Sequence, residues 1–446
     1  MKMSTWFSAM MLATIMALAS GCACGGGGDD SATDETVKDG EKKDGEKKAG
    51  AKFEASKDNK FVKKYEPYWA EIAECKTYAT YNDKDCPRLH EIHQEMKKAK
   101  DKMFKAKREK KDLPKKWNKI HEALINQVIN GKDDRARDYA ARLSYDGGEF
   151  VTADKEGLAM QLLDAYEERK KETGYEWWGV GISQMLGAFW KKDNKVRKRM
   201  LSLVVDKTPK FPWARKNLIE KQRLYWDVRG DKAFDKTYKK VAKDKKDDKW
   251  VRKQAILAIG DSVAKRPKQA DLLMTFLEDT KEDLEVRRGT FYGLGEIKGD
   301  DDRRKKARKL VFKVLSEETK HFGVGGSAVA CLADLGSAKS LEKVAELHKK
   351  QDTAESGDML CYAVQEFGRK EYMQEKDGKE AMVKAAKAAL KSKASEYRKP
   401  YVFDGLVKVG GKKVKKLCEA EEKNADKRIA KKAKECSDKL KKEKKK

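Results

Sequence analysis

The sequence has 446 residues, of which 40% are charged, and its formal net charge is +28. A hydrophobic fraction of 39% with 9% aromatic residues is enough for a packed core, which excludes a chain that is disordered throughout. Only seven prolines and so many charges are typical of a helical protein with wide solvated faces.

The first residues predict an export signal. Met1–Met3 is a short positive segment, Trp6–Leu18 is apolar, and Leu18-Ala-Ser-Gly-Cys22 follows. This last stretch resembles the lipobox of bacterial lipoproteins, which implies a signal peptide over residues 1–21 and a diacylated Cys22. An ordinary secretory signal cleaved nearby is the alternative. No later run is apolar enough to cross a bilayer, so we expect a lipid-anchored protein of the bacterial cell envelope. Ala23, which is not aspartate, favours the outer membrane, facing the periplasm or the cell surface.

Residues 22–52 are predicted to be a disordered tether. They begin with glycines, contain the exact repeat Asp39–Lys43 and Asp44–Lys48, and have almost no apolar side chains to offset the entropy of ordering. Residues 53–131 have apolar residues at helical spacing and predict an N-terminal helical cap. Pro87 is expected to begin one of its helices.

Two aligned stretches 35 residues apart predict a repeat architecture. They are Trp250–Gly260 and Glu285–Gly295, which share Val-Arg near the front and an apolar residue followed by glycine at the back. Asp248 and Asp283 are expected to cap the helix starts, and each final glycine is expected to end its helix in a left-handed conformation. Such a unit cannot bury its own apolar face, so successive units must stack. Further glycines at similar spacing are Gly187, Gly230, Gly336, Gly368 and Gly410.

The segments Asp193–Arg197, Asp248–Arg252 and Asp283–Arg287 resemble the front of the HEAT repeat signature. The resemblance implies an all-α fold, a right-handed α-α superhelix of armadillo type over residues 132–420. Residues 421–446 are then a C-terminal capping helix and basic tail. Each arginine of the signature is expected to pair with an acid of the neighbouring repeat.

Apart from Cys22 and Cys24, the cysteines form three close pairs, which outside the cytoplasm favours disulfides. Free buried thiols are the alternative. The cysteines of the middle pair are offset by two helical positions relative to the glycines that follow them, which favours a bond between successive repeats. The predicted pairs are Cys75–Cys86, Cys331–Cys361 and Cys418–Cys436.

Catalytic and metal motifs are weak in this sequence. His90 and His93, with the cysteines nearby, are weak zinc candidates because their spacing matches no familiar finger. His321–Ser327 is glycine-rich but lacks the Gly-Lys-Ser/Thr ending of a phosphate loop, and tight helix packing explains it better. The sequence therefore predicts a protein that is not an enzyme and has no cofactor.

Dense aromatic clusters are either repeat core or a binding groove with rigid anchors.

The predicted function is a membrane-anchored scaffold that binds a protein partner on the concave face of the repeats. The alternative is an electrostatic binder of phospholipid, lipid A or acidic polymer through lysine-rich faces. Nucleic acid is excluded by the compartment and by the scarcity of arginine relative to lysine. The predicted partner-binding residues are Trp177, Trp178, Trp190, Trp213, Trp226, Arg252 and Arg287.

Overall fold

The computed structural model describes residues 52–75, 87–144, 155–170, 186, 195–207, 211–225, 229, 231–317 and 322–443. The predicted signal peptide, Cys22 and nearly all of the predicted tether lie outside these residues. The described parts contain no strand. None of their helices combines the length and apolarity that a membrane span needs. Their nineteen α-helices are α1 Lys60–Glu74, α2 Pro87–Arg108, α3 Lys115–Asn130, α4 Asp134–Ser144, α5 Lys155–Glu167, α6 Lys195–Val205, α7 Pro212–Tyr225, α8 Lys232–Lys243, α9 Lys249–Asp261, α10 Gln269–Glu278, α11 Leu284–Gly295, α12 Asp301–Glu317, α13 Phe322–Asp334, α14 Ala338–Gln351, α15 Ala354–Gly368, α16 Lys376–Lys391, α17 Val402–Val409, α18 Lys412–Glu421 and α19 Lys427–Glu443.

These helices pack as successive hairpins, because each first helix contacts the helix that follows it and most first helices also contact the first helix of the next hairpin. The hairpins with both helices described are α3/α4, α6/α7, α8/α9, α10/α11, α12/α13, α14/α15, α16/α17 and α18/α19. The second helices α7, α9, α11, α13, α15, α17 and α19 form a continuous row, each against the next. The predicted all-α superhelical solenoid is confirmed, and one apolar core runs along the stack between the two rows.

The helix starts follow the predicted capping chemistry. The Asp248 carboxylate accepts hydrogen bonds from the backbone N–H groups of Trp250 and Val251, at 2.8 and 3.2 Å. The Asp283 carboxylate accepts one from the N–H of Glu285 at 2.8 Å. These side chains satisfy N–H groups that have no partner within the helix, so both stretches of the aligned repeat begin where the sequence places them.

The repeat glycines have a different role from the predicted one. Gly260 and Gly295 lie within α9 and α11, without a left-handed backbone, so the prediction that they end their helices in that conformation is wrong. Gly260 instead faces Gly293, and a Cβ on Gly293 would lie 2.4 Å from the Gly260 Cα. Glycine is needed there because the two helix backbones approach too closely for any side chain. Gly336 and Gly410 do adopt positive φ at helix ends.

The arginine of the repeat signature lies between hairpins, as predicted. Arg252 is 3% exposed, and its guanidinium donates to both Glu282 carboxylate oxygens at 2.8 and 2.7 Å. Its Nε also donates to the backbone oxygen of Ala242. Arg287 Nη2 lies 3.7 Å from Glu317 Oε2, one hairpin further on. The predicted pairing with a neighbouring acid is confirmed, and the ion pairs fix how each hairpin sits on the next.

The N-terminal region consists of α1, α2 and α3, with Pro87 beginning α2 as predicted. The non-helical residues 53–58 are held by side chains of α3 and α5. Gln161 Oε1 accepts from the Phe53 N–H at 2.6 Å, and Asn130 Nδ2 donates to the Phe53 carbonyl at 2.7 Å. The entering chain is therefore fixed to the stack before its first helix begins.

The cysteine predictions have three different outcomes. Cys418 and Cys436 form a disulfide between α18 and α19, with their Cα atoms 6.0 Å apart. Cys75 is disulfide-bonded, whereas Cys86 lies outside the described residues. Cys331 and Cys361 are buried free thiols, so that predicted disulfide is wrong.

Cys331 and Cys361 do not bond because they lie at different heights along the axes of the neighbouring helices α13 and α15. Contacts between α13 and α15 pair Gly325 with Met359 and Asp334 with Lys370, residues 34 to 36 apart. The two cysteines are only 30 apart, so their heights differ by roughly five residues, or about 7 Å. That offset alone exceeds the Cα separation that a disulfide spans. Rotation about the helix axis alone would allow the two cysteines to face each other, but the rise along the axis keeps them apart.

Candidate binding face of the second helices

The second helices α7, α9, α11, α13 and α15 expose one side of their row, which we call the second-helix face. Its first anchor is Trp213, near the start of α7, which is 51% exposed. Lys216, one turn later, places its Nζ 4.4 Å from the centroid of the Trp213 ring. On α9, Trp250 has the Lys253 Nζ 5.0 Å from its ring centroid. Stacked cations restrict the rings, so the two tryptophans are presented in fixed positions.

Charged side chains continue this line onto the next two hairpins. Lys253 forms an ion pair with Glu285, whose other oxygen lies 3.5 Å from Arg288 Nη1. Arg288 Nε in turn donates to the Ser327 hydroxyl at 3.2 Å. Burial lowers the pKa of Lys253, and the Glu285 carboxylate opposes this shift. These contacts join α9, α11 and α13 into one polar band.

A second line of contacts crosses the face about one to three turns further along the helices. Arg223 Nε donates to Asp261 Oδ2 at 2.5 Å, and the Arg223 guanidinium lies 5.2 Å from the centroid of the Tyr292 ring. Tyr292 also hydrogen-bonds Asp261, and it is 48% exposed. Burial raises the pKa of Asp261, while Arg223 opposes this. The cluster joins α7, α9 and α11 and presents a second aromatic anchor.

The line continues onto α13, α15 and the residues that follow α15 mainly as charged side chains. Asp334 pairs with Lys370, and Glu366 accepts from Arg369 at 2.7 Å. Burial raises the pKa of Glu366, and it raises that of the neighbouring Tyr362 to about 12. This end of the face is therefore polar, whereas the α7 to α11 end combines aromatic rings with charge.

The predicted partner-binding residues fall into three groups in the structure. Trp213 is on the second-helix face, while Trp177, Trp178, Trp190 and Trp226 lie outside the described residues. Arg252 and Arg287 are each only 3% exposed and held within the stack. A partner cannot reach buried guanidinium groups, so their assignment to partner binding is wrong.

The weak metal candidates gain no support from the described residues. The His90 side chain is exposed, and the placement of the His93 side chain is outside the description. Within the described ranges, no group of three or more His, Cys, Asp or Glu residues is arranged to hold a metal ion. The glycine-rich stretch from Phe322 forms the start of α13, with Gly325 against Met359, so tight helix packing explains it as predicted.

No protein-family model and no curated protein matches the chain. Among solved structures, one described as an engineered protein of the Northeast Structural Genomics Consortium is similar, with 15% identity and a TM-score of 0.34. The alignment covers 84% of this chain and 99% of that one. A likeness this distant adds nothing to the helix packing already described.

Sequence reasoning missed Lys253, Arg288 and the Arg223–Asp261–Tyr292 cluster. The aligned repeat did contain a signal for the first two, since a basic residue directly follows the buried arginine in both copies. One helical position is a rotation of about 100°, which moves that side chain from the interior to the face. Tyr292 follows the buried Phe291 in the same way.

Proposed function

We propose that this chain is a membrane-anchored lipoprotein scaffold that binds a protein partner across the second-helix face. The observation that supports it most is the combination of exposed, cation-stacked Trp213 and Tyr292 with ion pairs that cross three consecutive hairpins. Large aromatic side chains held in place lose little entropy on binding, and such residues provide most of the energy in protein interfaces.

Helix spacing supports the use of this face. Glycine pairs bring neighbouring second helices unusually close, at Gly260–Gly293 in α9/α11 and at Gly368–Gly405 in α15/α17. In a curved stack, the row with the shorter spacing lies on the inner side. The second-helix face is therefore the concave side in this proposal, where a partner can contact several hairpins at once.

The anchor is proposed from the sequence alone. The lipobox-like stretch before Cys22 supports lipidation of that cysteine, and Ala23 supports the outer membrane of a bacterial envelope. Several acyl chains on one residue give stable attachment, whereas one chain gives marginal attachment. Replacing Cys22 with alanine is expected to release the protein from the membrane fraction and to abolish incorporation of labelled palmitate. Unchanged palmitate labelling would contradict the proposal.

Site-specific photo-crosslinking in intact cells tests the binding face. A photoreactive residue at position 213 or 292 is expected to give discrete cross-linked proteins, whereas the same residue at exposed position 343 on α14 is not. The alanine variants Trp213→Ala and Tyr292→Ala should reduce co-purification of the cross-linked protein about tenfold or more. Equal cross-linking from position 343 would reject this face.

An electrostatic binder of anionic envelope components is the second candidate, supported by the net charge of +28. Salt distinguishes the two functions, because screening weakens exposed charge contacts far more than buried aromatic ones. A protein partner held by Trp213 and Tyr292 should remain bound at about 0.5 M salt. If only phospholipid, lipid A or acidic polymer is recovered, and salt releases it, the electrostatic function is the correct one.

A further inference from the structure

A cavity of about 530 Å³ lies on the opposite row, between the first helices α14 and α16 and the first two turns of α15. Its volume is within the range of small-molecule sites. The floor is formed mainly by small or apolar residues: Ala345, Gly357, Leu360, Ala381, Ala385 and Ala388. The buried Ser356 also lines the cavity, and its hydroxyl donates to the backbone oxygen of Thr353 at 2.9 Å. The floor runs for about 10 Å along α16. Such a floor favours a ligand with an apolar part.

The rim of the cavity is rich in lysine. Lys384, Lys387 and Lys391 fall at i, i+3 and i+7 on α16, so they share one side of that helix, and Lys349 faces them from α14. None of these four lysines forms an ion pair with another residue of the described chain. The positive charge at this mouth is therefore available to an external anion.

Three carboxylates also line the cavity, those of Glu342, Glu346 and Asp352, and they are distributed unevenly along it. Asp352, which follows α14, pairs with Lys393, which follows α16, at 2.7 Å, so the two helices run in the same direction. Lys349 and Lys391 consequently share one end of the cavity, whereas Glu346 lies about one turn before Lys349 on α14 and Glu342 lies towards the other end. An anionic head group is stabilised at the lysine end and an alkyl chain along the alanine floor.

His348 adds a polar group to the wall of the cavity. It is 5% exposed, its Nδ1 lies 3.3 Å from Gln351 Oε1, and its Nε2 has no hydrogen-bond partner within the described residues. Burial lowers the pKa of His348 to about 4, so the ring is neutral at pH 7 and the lysines supply the charge.

We infer that this cavity binds a single-chain anionic amphiphile, with its head group at Lys349, Lys387 and Lys391 and its alkyl chain over the alanines. The cavity volume of about 530 Å³ is that of a small-molecule site, which favours a single alkyl chain over a partner helix. Lysine is a point charge that suits phosphate, and arginine forks are absent from the rim. An alkyl phosphate is therefore the expected chemistry. The inference does not depend on the proposed protein-binding function.

Calorimetric titration with dodecyl phosphate, below its critical micelle concentration, tests the inference. The protein is the full mature chain with Cys22→Ala, so that no acyl chain of its own competes. We expect saturable binding of one ligand per chain. Ethyl phosphate, which has no chain, and dodecyltrimethylammonium, which has the opposite charge, should each bind at least tenfold more weakly. Equal binding of either would overturn the proposed ligand chemistry.

Two variants locate the binding. Reversing three rim charges, with Lys384→Glu, Lys387→Glu and Lys391→Glu, should weaken dodecyl phosphate binding about tenfold or more. The matched control reverses Lys305, Lys309 and Lys343, which are exposed on α12 and α14 and do not line the cavity. It should change the affinity less than twofold. Equal loss in both variants would mean that net charge alone attracts the ligand, and the inference would fail.

Filling the cavity gives an independent test. Ala388 is only partly buried, so Ala388→Phe can place its ring over the floor without displacing the core. Binding of dodecyl phosphate should be lost, with the circular dichroism melting curve unchanged. Full-strength binding by a folded Ala388→Phe protein would show that the alkyl chain lies elsewhere.

Discussion

The contact between Gly260 and Gly293 gives the sharpest prediction about stability. A methyl group on Gly293 would lie 2.4 Å from the Gly260 Cα and 2.5 Å from Leu273 Cδ1. Ordinary carbon contacts are about 3.5–4.0 Å, so α9 and α11 must separate by roughly 1 Å to accept Gly293→Ala. Overpacking of this kind costs about 1–3 kcal/mol, and the obstacle here is backbone, which favours the upper end. The better helix propensity of alanine offsets about 1 kcal/mol of this cost. We expect a net loss of about 2 kcal/mol.

Urea denaturation followed by circular dichroism measures this loss, and Gly323→Ala is the matched control. Gly323 also lies in a helix of the second row, but its Cβ would meet only the flexible end of Arg288, at 3.3 Å. That variant should be as stable as the natural protein, or up to about 1 kcal/mol more stable. If Gly293→Ala behaved like Gly323→Ala, the close helix crossing would not be a determinant of stability.

Three further predictions concern buried charge, pH and the disulfide. Arg252→Leu leaves the Glu282 carboxylate buried without its partner and should cost about 3 kcal/mol or more in urea unfolding, whereas replacing both residues with leucine should restore most of the stability. Burial lowers the pKa of His121 to about 4, below its value of about 6.5 in the unfolded chain. The contribution of the neutral ring to the free energy of unfolding is therefore present above pH 6.5 and is lost as the pH falls towards 4. Between pH 7 and pH 5 the free energy of unfolding should fall by about 2 kcal/mol because of this residue, and His121→Phe should remove that part of the pH dependence. Replacing Cys418 and Cys436 with serine opens a link across 18 residues and should lower the thermal midpoint, at a cost of about 3 kcal/mol, while an unchanged midpoint would show that the bond does not constrain the unfolded chain.

The repeat could be recognised from the sequence because its information is local. Aspartate before an apolar run specifies a helix start through its own hydrogen bonds, and Asp248 and Asp283 cap their helices in the structure as expected. The periodicity of buried residues then implies stacked hairpins, because one hairpin leaves an apolar side uncovered. Fold class and several helix boundaries depended only on these short-range rules.

The position of the candidate site depends on how each helix is rotated and shifted against its neighbours, which the sequence could not supply. Arg252 and Arg288 both belong to the repeat motif, yet the first is buried against Glu282 and the second lies on the second-helix face. Composition does not distinguish two cations; only the rotation of each helix against its neighbours does. The same limitation explains the error at Cys331 and Cys361, whose height along neighbouring helices decides whether they can meet.

The sequence by itself determined that this chain forms capped helices stacked in hairpins, because backbone capping and the burial of an apolar stripe are local requirements. The tertiary structure decided how closely the hairpins approach. It placed Gly293 against Gly260, matched each buried arginine to an acid about thirty residues away, and left Trp213 and Tyr292 exposed on one side. Those outcomes depend on the shift and rotation between neighbouring helices. Packing of whole helix surfaces sets both, so they cannot be read from any single segment of the sequence.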